Sequence, residues 1–155
     1  MKDILVLGLG KVGSLVATLL SKKFNVKGLD QNKPHYNYTL PFEILKEEVS
    51  DIIKMKKILN DFDAVVSALP FFLNKEIAKL AHDLDLHYFD LTEDVETTKY
   101  IKELSKSSNK IMAPQCGLAP GLIGIIGNDL AIKFDELRDI ELRVGALPRY
   151  PNGQL

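Results

Sequence analysis

Three glycines near the N-terminus have the spacing of a phosphate-binding loop. Gly8, Gly10 and Gly13 form the pattern Gly-x-Gly-x-x-Gly directly after a short apolar run, Ile4–Leu7. In this pattern the first glycine makes a tight turn, the second lets the backbone approach a pyrophosphate, and the third lets the next helix pack closely on the strand. The alternative is a glycine turn without a ligand. The residues expected to bind phosphates with this loop and the N-terminus of the helix are Gly8, Gly10, Lys11, Val12 and Gly13.

An acidic residue follows the glycines at the distance expected for ribose recognition. Asp30 ends the second apolar run, about 20 residues after the loop, where a carboxylate can accept hydrogen bonds from the adenosine ribose hydroxyls. Because a carboxylate would repel a 2′-phosphate, the sequence favours NAD over NADP as the cofactor. The neighbouring Gln31 is included in the expected site, and Lys33 is close enough to weaken the preference for NAD. The alternative for Asp30 is an ordinary turn or strand-end residue.

Two more segments are expected at the same edge of the sheet. Asp51 follows the presumed third strand, where it would either contact the adenine amine or cap the next helix. Ser67, Ala68, Leu69 and Pro70 end the fourth strand, and cofactors lie across this carboxyl edge of a parallel sheet. Small residues there would leave room for the second ribose and the nicotinamide.

The elements that would position these residues alternate between strand and helix. The predicted strands are Ile4–Leu7, Val26–Asp30, a weak strand near Tyr38–Leu40, Ala64–Ala68, Tyr88–Asp90 and Lys110–Ala113. The predicted helices are Val12–Leu20, Ile52–Leu59, Ile77–Leu84, Glu93–Lys106 and Leu122–Phe134. The last helix is apolar almost all round and is therefore expected to be buried. About five alternations of this kind predict an α/β fold with a Rossmann-type, doubly wound and mostly parallel sheet.

The C-terminal segment has a different pattern. Ile140, Leu142 and Val144 alternate with polar residues or glycine, which indicates a strand with one solvated face. We expect residues 1–135 to form a NAD(P)-binding domain and residues 136–155 to begin a truncated substrate-binding or catalytic domain. The alternative is that this last strand caps the edge of the first sheet.

Composition excludes several classes of function. The chain has 155 residues, a formal net charge of -1 and no segment of membrane-spanning length, so neither a nucleic acid nor a membrane is an expected partner. Its single cysteine, Cys116, cannot form an internal disulfide, which fits a cytoplasmic protein. We expect Cys116 to be a small buried residue rather than a nucleophile. The three histidines are scattered, and no metal site is expected.

Two carboxylates are the best candidates for catalysis. Asp90 and Glu93 follow the fifth strand at the expected cofactor edge, where they could bind a substrate ammonium group or relay a proton. The alternative for Glu93 is a place in the first turn of a helix, where a negative charge interacts favourably with the helix dipole.

Three motifs, in order along the chain, resemble those of saccharopine dehydrogenase-like proteins. They are Val66-Ser67-Ala68-Leu69-Pro70, His87-Tyr88-Phe89-Asp90-Leu91-Thr92-Glu93 and Gly117-Leu118-Ala119-Pro120-Gly121-Leu122. The later segment Val144-Gly145-Ala146-Leu147-Pro148 is similar to the start of that family's second, substrate-binding domain. The resemblance extends over essentially the whole chain.

This resemblance implies an oxidoreductase that transfers a hydride between an amine-bearing carbon and nicotinamide. Its small-molecule substrate would be an amino acid such as saccharopine or lysine, bound mainly by the second domain. Ala119 stands where saccharopine reductases carry an aspartate, so the lysine 6-dehydrogenase-like branch is favoured. Because half a site cannot align the reactants, we expect this chain to bind cofactor but to turn over little substrate. Measurable reduction of NAD with lysine would contradict that expectation.

Other classes of function remain open at this point. A regulatory NAD(H)-sensing domain shares the glycine loop and the acidic residue but lacks the Gly117–Gly121 segment and the additional alternating strand. A binding module that has lost catalysis is a third alternative. An exposed apolar interface would also favour association into a homodimer.

Overall fold

The computed structural model describes residues 1–32 and 39–145. Within these ranges the chain forms six strands and five helices. The strands are β1 (Asp3–Leu7), β2 (Asn25–Asp30), β3 (Glu43–Lys46), β4 (Ala64–Ser67), β5 (His87–Asp90) and β6 (Met112–Ala113). The helices are α1 (Lys11–Leu20), α2 (Ile52–Leu59), α3 (Phe71–Asp83), α4 (Val95–Ser105) and α5 (Leu122–Ala131).

All six strands are parallel and lie in the order β3-β2-β1-β4-β5-β6. The chain runs outward from β1 to β3, crosses back, and then runs outward again from β4 to β6. This order confirms the predicted doubly wound Rossmann-type fold. The register pairs Leu7 with both Leu29 and Ser67, so the carboxyl ends of the three central strands meet at one edge. The reversal between β1 and β4 leaves a crevice there, which is the usual ligand position in this fold.

Alternate residues of β1 supply the two faces of the core. Leu5 and Leu7 pack with α2, α3 and α4, whereas Ile4 and Val6 pack with Ala17 of α1. These four apolar side chains of β1 are all buried, and each contributes roughly 1.5–3 kcal/mol of hydrophobic stabilisation. This burial on both faces explains the continuous apolar run of β1 and holds the glycine loop that follows it.

Several element boundaries differ from the sequence predictions. The third strand is Glu43–Lys46, whereas Thr39 and Leu40 are not in a strand and Tyr38 lies outside the described residues. Helix α3 begins at Phe71, six residues before the predicted Ile77. Its first residues, Phe71-Phe72-Leu73, are consecutive apolar residues, and polar residues at 74–76 separate them from the spaced apolar pattern that begins at Ile77. Helix α4 begins at Val95, where Asp94 accepts a hydrogen bond from the Thr97 N–H at 2.7 Å. Glu93 therefore precedes the helix, and its expected place in the first turn is wrong.

The C-terminal part of the chain differs most from expectation. No residue of α5 is buried, and Ile125 is 70% exposed, so the predicted burial of this helix is wrong for the described residues. Residues 136–145 contain no strand, since no neighbouring strand there supplies hydrogen bonds, and residues 146–155 lie outside the described ranges. Within those ranges no helix combines the length and the apolar character needed to cross a membrane. The division at residue 135 stays a prediction.

Candidate functional site

The turn after β1 requires glycine at its first position. Gly8 has φ +82°, a left-handed conformation that residues with a side chain adopt only under strain. A Cβ atom at this position would lie 2.9 Å from the carbonyl oxygen of Ala68. The Gly8 N–H donates to the Leu29 carbonyl oxygen at 2.9 Å, which fixes the turn between β2 and β4. The predicted role of Gly8 in a tight turn is confirmed.

The last glycine of the loop lets α1 approach the turn. A Cβ atom on Gly13 would lie only 1.8 Å from the carbonyl oxygen of Gly8. The Ser14 hydroxyl donates to the Leu9 carbonyl oxygen at 2.9 Å and ties the same turn to the helix. Close packing at Gly13, as predicted, is therefore confirmed.

The middle glycine stands in open space. No heavy atom lies within 4 Å of the position that a Cβ on Gly10 would take. Gly10 is the N-cap residue of α1, and no side chain caps that helix, whereas aspartates cap α2 and α4. The backbone N–H groups at the start of α1 are thus open to an anion, which the helix dipole would also favour.

Asp30 braces the glycine loop from the end of β2. Its Oδ2 atom accepts the Leu9 N–H at 2.7 Å, and its Oδ1 atom accepts the Asn32 N–H at 2.9 Å. The hydrogen bond from Asn32 is the contact expected if Asp30 is an ordinary turn residue, which was the alternative interpretation of Asp30. Because each carboxylate oxygen has two acceptor sites, Asp30 can hold this turn and still accept ligand hydroxyls.

A cavity of about 500 Å³ opens at this edge of the sheet. Its lining is Gly8, Gly10, Asp30, Gln31, Glu48, Val49, Ser50, Ala68, Leu69, Pro70, Phe72 and Leu73. Such a volume lies within the range of about 300–1,000 Å³ that is usual for small-molecule sites. Seven of the predicted cofactor-binding residues line the cavity: Gly8, Gly10, Asp30, Gln31, Ala68, Leu69 and Pro70.

Five predicted residues are not in that lining: Lys11, Val12, Gly13, Asp51 and Ser67. Five lining residues were not predicted: Glu48, Val49, Ser50, Phe72 and Leu73. The missed residues follow β3 or lie in the first turn of α3, the two elements whose positions were mispredicted. A correct placement of β3 at Glu43–Lys46 would have indicated that Glu48 lies at the carboxyl edge.

Asp51 serves as a helix cap. Its Oδ1 atom accepts the Lys54 N–H at 3.0 Å, and the residue does not line the cavity. Of the two interpretations that the sequence left open, the N-cap is the one for which the structure gives a contact.

Replacing Asp51 by alanine is expected to lower the free energy of unfolding by about 1 kcal/mol, because the N-terminus of α2 loses its side-chain acceptor. Urea denaturation would measure the change. Asp51→Asn is the matched control and should retain nearly full stability, since asparagine caps helices as well as aspartate does. Equal stability of the alanine variant and the original chain would contradict the capping role.

Ser67 is turned away from the cavity. Its side chain is fully buried and donates to Asn74 Oδ1 at 2.7 Å, while its oxygen accepts the Leu69 N–H at 3.4 Å. Asn74 is buried as well. Ser67 therefore stabilises the turn between β4 and α3 and does not line the cavity. The prediction that its side chain lies at the cofactor is corrected accordingly.

Asp90 is fully buried and accepts three hydrogen bonds. Its Oδ2 atom accepts the Tyr88 hydroxyl at 2.8 Å, and its Oδ1 atom accepts the N–H groups of Thr92 at 3.0 Å and Gln115 at 3.1 Å. Burial, together with the Asp90 charge, raises the pKa of Tyr88 far above its ordinary value, so this tyrosine stays a hydrogen-bond donor. Because no part of Asp90 is exposed, its expected contact with substrate is corrected to a role in positioning. Glu93, by contrast, is exposed.

The loop after β6 is also hydrogen-bonded to Asp90. The Cys116 N–H donates to the Asp90 carbonyl oxygen at 2.7 Å, and the Leu122 N–H donates to the Gly117 carbonyl oxygen at 2.9 Å. Cys116 is exposed rather than buried as expected. Partial desolvation of the thiol and the nearby Asp90 charge raise its pKa, which disfavours a nucleophilic thiolate.

A second, larger cavity lies at the other end of the strands. It has a volume of about 740 Å³ and is lined by residues that include Asn25, Lys27 and Glu43 at the beginnings of β2 and β3. Ligands of open α/β sheets bind beyond the carboxyl ends of the strands. The smaller cavity, next to the glycine loop, is therefore the candidate site.

Comparison with known proteins supports this choice. The family model described as "Saccharopine dehydrogenase NADP binding domain" matches residues 4–116, which include the glycine loop, Asp30 and the two motifs at residues 66–70 and 87–93. This chain belongs to that family. The match ends at Cys116, before the Gly117–Gly121 segment and α5.

Solved structures share the fold. Saccharopine dehydrogenase (L-Glu forming) from Saccharomyces cerevisiae is similar at a TM-score of 0.67 and 21% identity, over 86% of this chain and 31% of the yeast chain. UDP-glucose 4-epimerase from Thermotoga maritima is similar at a TM-score of 0.57 and 12% identity, over 70% of this chain and 52% of the other. At these identities the similarity shows the fold alone. The chain spans about a third of the length of the yeast enzyme.

Proposed function

We propose that this chain binds NAD(H) in the cavity beside the glycine loop and is the nucleotide-binding half of an oxidoreductase that acts on C–N bonds. One observation carries the proposal. The uncapped N-terminus of α1 at Gly10 and the carboxylate of Asp30 border one cavity at the switch point of the sheet. Membership of the saccharopine dehydrogenase family agrees with this function.

The polar groups of the cavity match those of a dinucleotide. Its phosphates are acceptors, and the start of α1 offers backbone donors at Gly10 and the residues after it. Its adenosine ribose offers hydroxyl donors, and Asp30 offers acceptors. Ala68, Leu69 and Pro70 would border the cofactor on the β4 side. When bound, the nicotinamide supplies the carbon that accepts or donates the hydride.

The charges of the lining support NAD rather than NADP. Two carboxylates, Asp30 and Glu48, face the cavity, and its lining as described contains no lysine or arginine. A 2′-phosphate would meet these negative charges without a compensating cation. The description of the family names NADP. The preference for NAD is therefore proposed for this chain alone, on the charges of its cavity. Lys33, which the sequence suggested as a moderating charge, lies outside the described residues.

The proposed reaction is hydride transfer between the amine-bearing carbon of an amino acid and nicotinamide. Ala119, in the loop that Asp90 positions, supports a lysine-like substrate over saccharopine because it offers no carboxylate. We retain the exposed Glu93 as a candidate for binding the substrate ammonium group. A second domain would complete the substrate site, and the exposed apolar helix α5 would be covered by such a domain or by a second copy of the chain. A single free cysteine supports a cytoplasmic location.

Replacing Asp30 by asparagine is expected to reduce the preference of the chain for NADH over NADPH by at least about tenfold. The change removes the negative charge and weakens hydrogen bonds to the ribose hydroxyls that are each worth about 1.5–3 kcal/mol when charge-assisted. Calorimetric titration of the variant and the original chain with both cofactors measures the ratio.

Asp51→Asn is the matched control for this experiment. It makes the same change of charge near the same edge of the sheet, but Asp51 does not line the cavity. The control should keep the original ratio of NADH to NADPH affinity. If both variants shift the ratio equally, the preference comes from overall charge and the proposed role of Asp30 is wrong.

A further inference from the structure

A series of buried hydrogen bonds connects the cofactor cavity with the loop after β6. At the cavity, the Leu69 N–H donates to the Ser67 hydroxyl oxygen at 3.4 Å, and the Ser67 hydroxyl donates to Asn74 Oδ1 at 2.7 Å. The Tyr88 hydroxyl oxygen lies 3.4 Å from the Asn74 carbonyl oxygen and 2.8 Å from Asp90 Oδ2. Ser67, Asn74, Tyr88 and Asp90 are each no more than 1% exposed, and burial strengthens hydrogen bonds of this kind.

Tyr88 is the residue at which the two ends of this series meet. Its hydroxyl group has a single proton and two acceptors within reach, so it donates mainly to the nearer one, Asp90 Oδ2. Burial raises the pKa of Tyr88 far above its ordinary value, so the proton stays on the hydroxyl. A shift of the Asn74 carbonyl toward or away from this hydroxyl would therefore change the hydrogen bond that Tyr88 donates to Asp90.

The loop after β6 begins in a strained conformation that Asp90 maintains. Gln115 has φ +65°, a left-handed conformation that few residues with a side chain adopt. Its N–H donates to Asp90 Oδ1 at 3.1 Å, and the next N–H, of Cys116, donates to the Asp90 carbonyl oxygen at 2.7 Å. Weaker hydrogen bonds to Asp90 would favour the ordinary negative φ at Gln115 and move the residues that follow it. Two discrete arrangements of this kind are what energetic coupling between two sites needs.

We propose that Tyr88 is a positioning residue that couples occupancy of the cofactor cavity to the conformation of the loop after β6. This inference rests on the proposed binding of NAD(H). A cofactor packed against Leu69 would fix the turn between β4 and α3, and therefore Ser67 and Asn74. Tyr88 would then donate to Asp90 in a fixed geometry, and Asp90 holds the start of the loop.

The coupled loop is the one to which the proposed function assigns the substrate preference. It contains Ala119 and follows a parallel strand that ends at the same edge of the sheet as the cavity. Binding of the cofactor would therefore order this loop before the substrate arrives. Because coupling is reciprocal, a change in the loop would alter the affinity for the cofactor by the same factor.

Cys116 reports on this loop, because it is the single cysteine of the chain and is exposed. The test measures how fast the full chain reacts with an aromatic disulfide that releases a coloured thiolate, with and without saturating NADH or ADP-ribose. Both ligands should lower the rate by at least about fivefold, the lower end of usual coupling between sites. In the fixed loop the Cys116 thiol donates to the Ala113 carbonyl oxygen at 3.3 Å, which disfavours the reactive thiolate. ADP-ribose lacks the nicotinamide ring, which would otherwise be a direct cover for the thiol.

Two variants break the series at different points. Tyr88→Phe removes the central hydroxyl, and Ser67→Ala removes the connection at the cavity. Both should still bind NADH, but the ligand should change the thiol rate by less than about twofold. Thr98→Val is the matched control, because it removes a buried hydroxyl that has no hydrogen-bond partner in the described part of the chain, and it should keep the full ligand effect. If Tyr88→Phe does not fold, Ser67→Ala decides alone.

The outcomes separate this inference from the proposed function. An unchanged thiol rate in an original chain that binds NADH would overturn the inference alone. An equal ligand effect in the original chain and in Ser67→Ala or Tyr88→Phe would show direct shielding by the ligand and would overturn it as well. So would loss of the effect in Thr98→Val, since the cause would then be a general loosening of the core. Absence of NADH binding would overturn the proposed function and this inference with it.

Discussion

Alanine at position 13 is expected to lower the free energy of unfolding by at least about 3 kcal/mol, because overpacking against a fixed backbone is among the most disruptive core changes. The new Cβ would lie 1.8 Å from the Gly8 carbonyl oxygen, well inside contact distance. Neither the Cβ atom nor the carbonyl oxygen can move independently of the backbone, because the first is bonded to Cα and the second belongs to the main chain. Helix α1 would have to move away from the β1 turn, which would also disrupt the Ser14 hydrogen bond to Leu9.

Urea denaturation followed by circular dichroism measures this loss. Gly124→Ala is the matched control, because Gly124 is a helical glycine whose Cβ would meet no atom within 4 Å. The control should be neutral or should stabilise the chain by up to about 1 kcal/mol, the gain in helix propensity. A loss below about 1 kcal/mol for Gly13→Ala would show that α1 and the turn are not in such close contact.

Alanine at position 10 is expected to have the opposite effects, leaving the fold intact while weakening NADH binding by at least about tenfold, or 1.4 kcal/mol. Gly10 has φ -66°, which any residue adopts, and its Cβ would meet no protein atom within 4 Å. The methyl group would instead occupy space at the border of the cavity, where the backbone must come close to a pyrophosphate. The free energy of unfolding should fall by no more than about 1 kcal/mol, the usual effect of alanine at an N-cap.

The two glycine variants form a pair with separable outcomes. Gly13→Ala should be detected by unfolding and Gly10→Ala by titration with NADH. A Gly10→Ala variant that is folded and binds NADH as tightly as the original chain would contradict the placement of the pyrophosphate at this loop. A Gly10→Ala variant that unfolds would contradict the open surroundings of Gly10.

Residues whose position and role depend on the nearby sequence were predictable from the sequence. Gly8 is required by its positive φ and Gly13 by its close approach to the Gly8 carbonyl oxygen, and both causes lie within one turn; Asp30 was predictable from its place at the end of a buried strand. Helix α2 was predicted with its bounds, because an aspartate cap and a helical apolar pattern agree there. The doubly wound, parallel plan of the sheet was predicted from the alternation of strand and helix patterns.

Residues whose position depends on distant parts of the chain were not predictable. Strand β3 is only four residues long, and none of its residues is buried, so no run of apolar residues indicated where it lies. Misplacing it concealed Glu48. Asp90 ends its strand as a catalytic carboxylate could, but it is fully buried, and one of its three donors, the Gln115 N–H, comes from a loop 25 residues away. Helix α5 is apolar, but an apolar helix is buried only where another surface covers it. In the described part of the chain no surface buries any residue of α5.

The most direct test of the account is a calorimetric titration of the 155-residue chain with NADH and, separately, with NADPH. Asp30 and Glu48 face a cavity lined, as far as the structure describes it, by no cation. We expect saturable binding of NADH with one site per chain and at least about tenfold weaker binding of NADPH. Tighter binding of NADPH would contradict the roles given to these carboxylates. Binding of neither cofactor would contradict the central claim that the cavity beside Gly10 holds a nicotinamide dinucleotide.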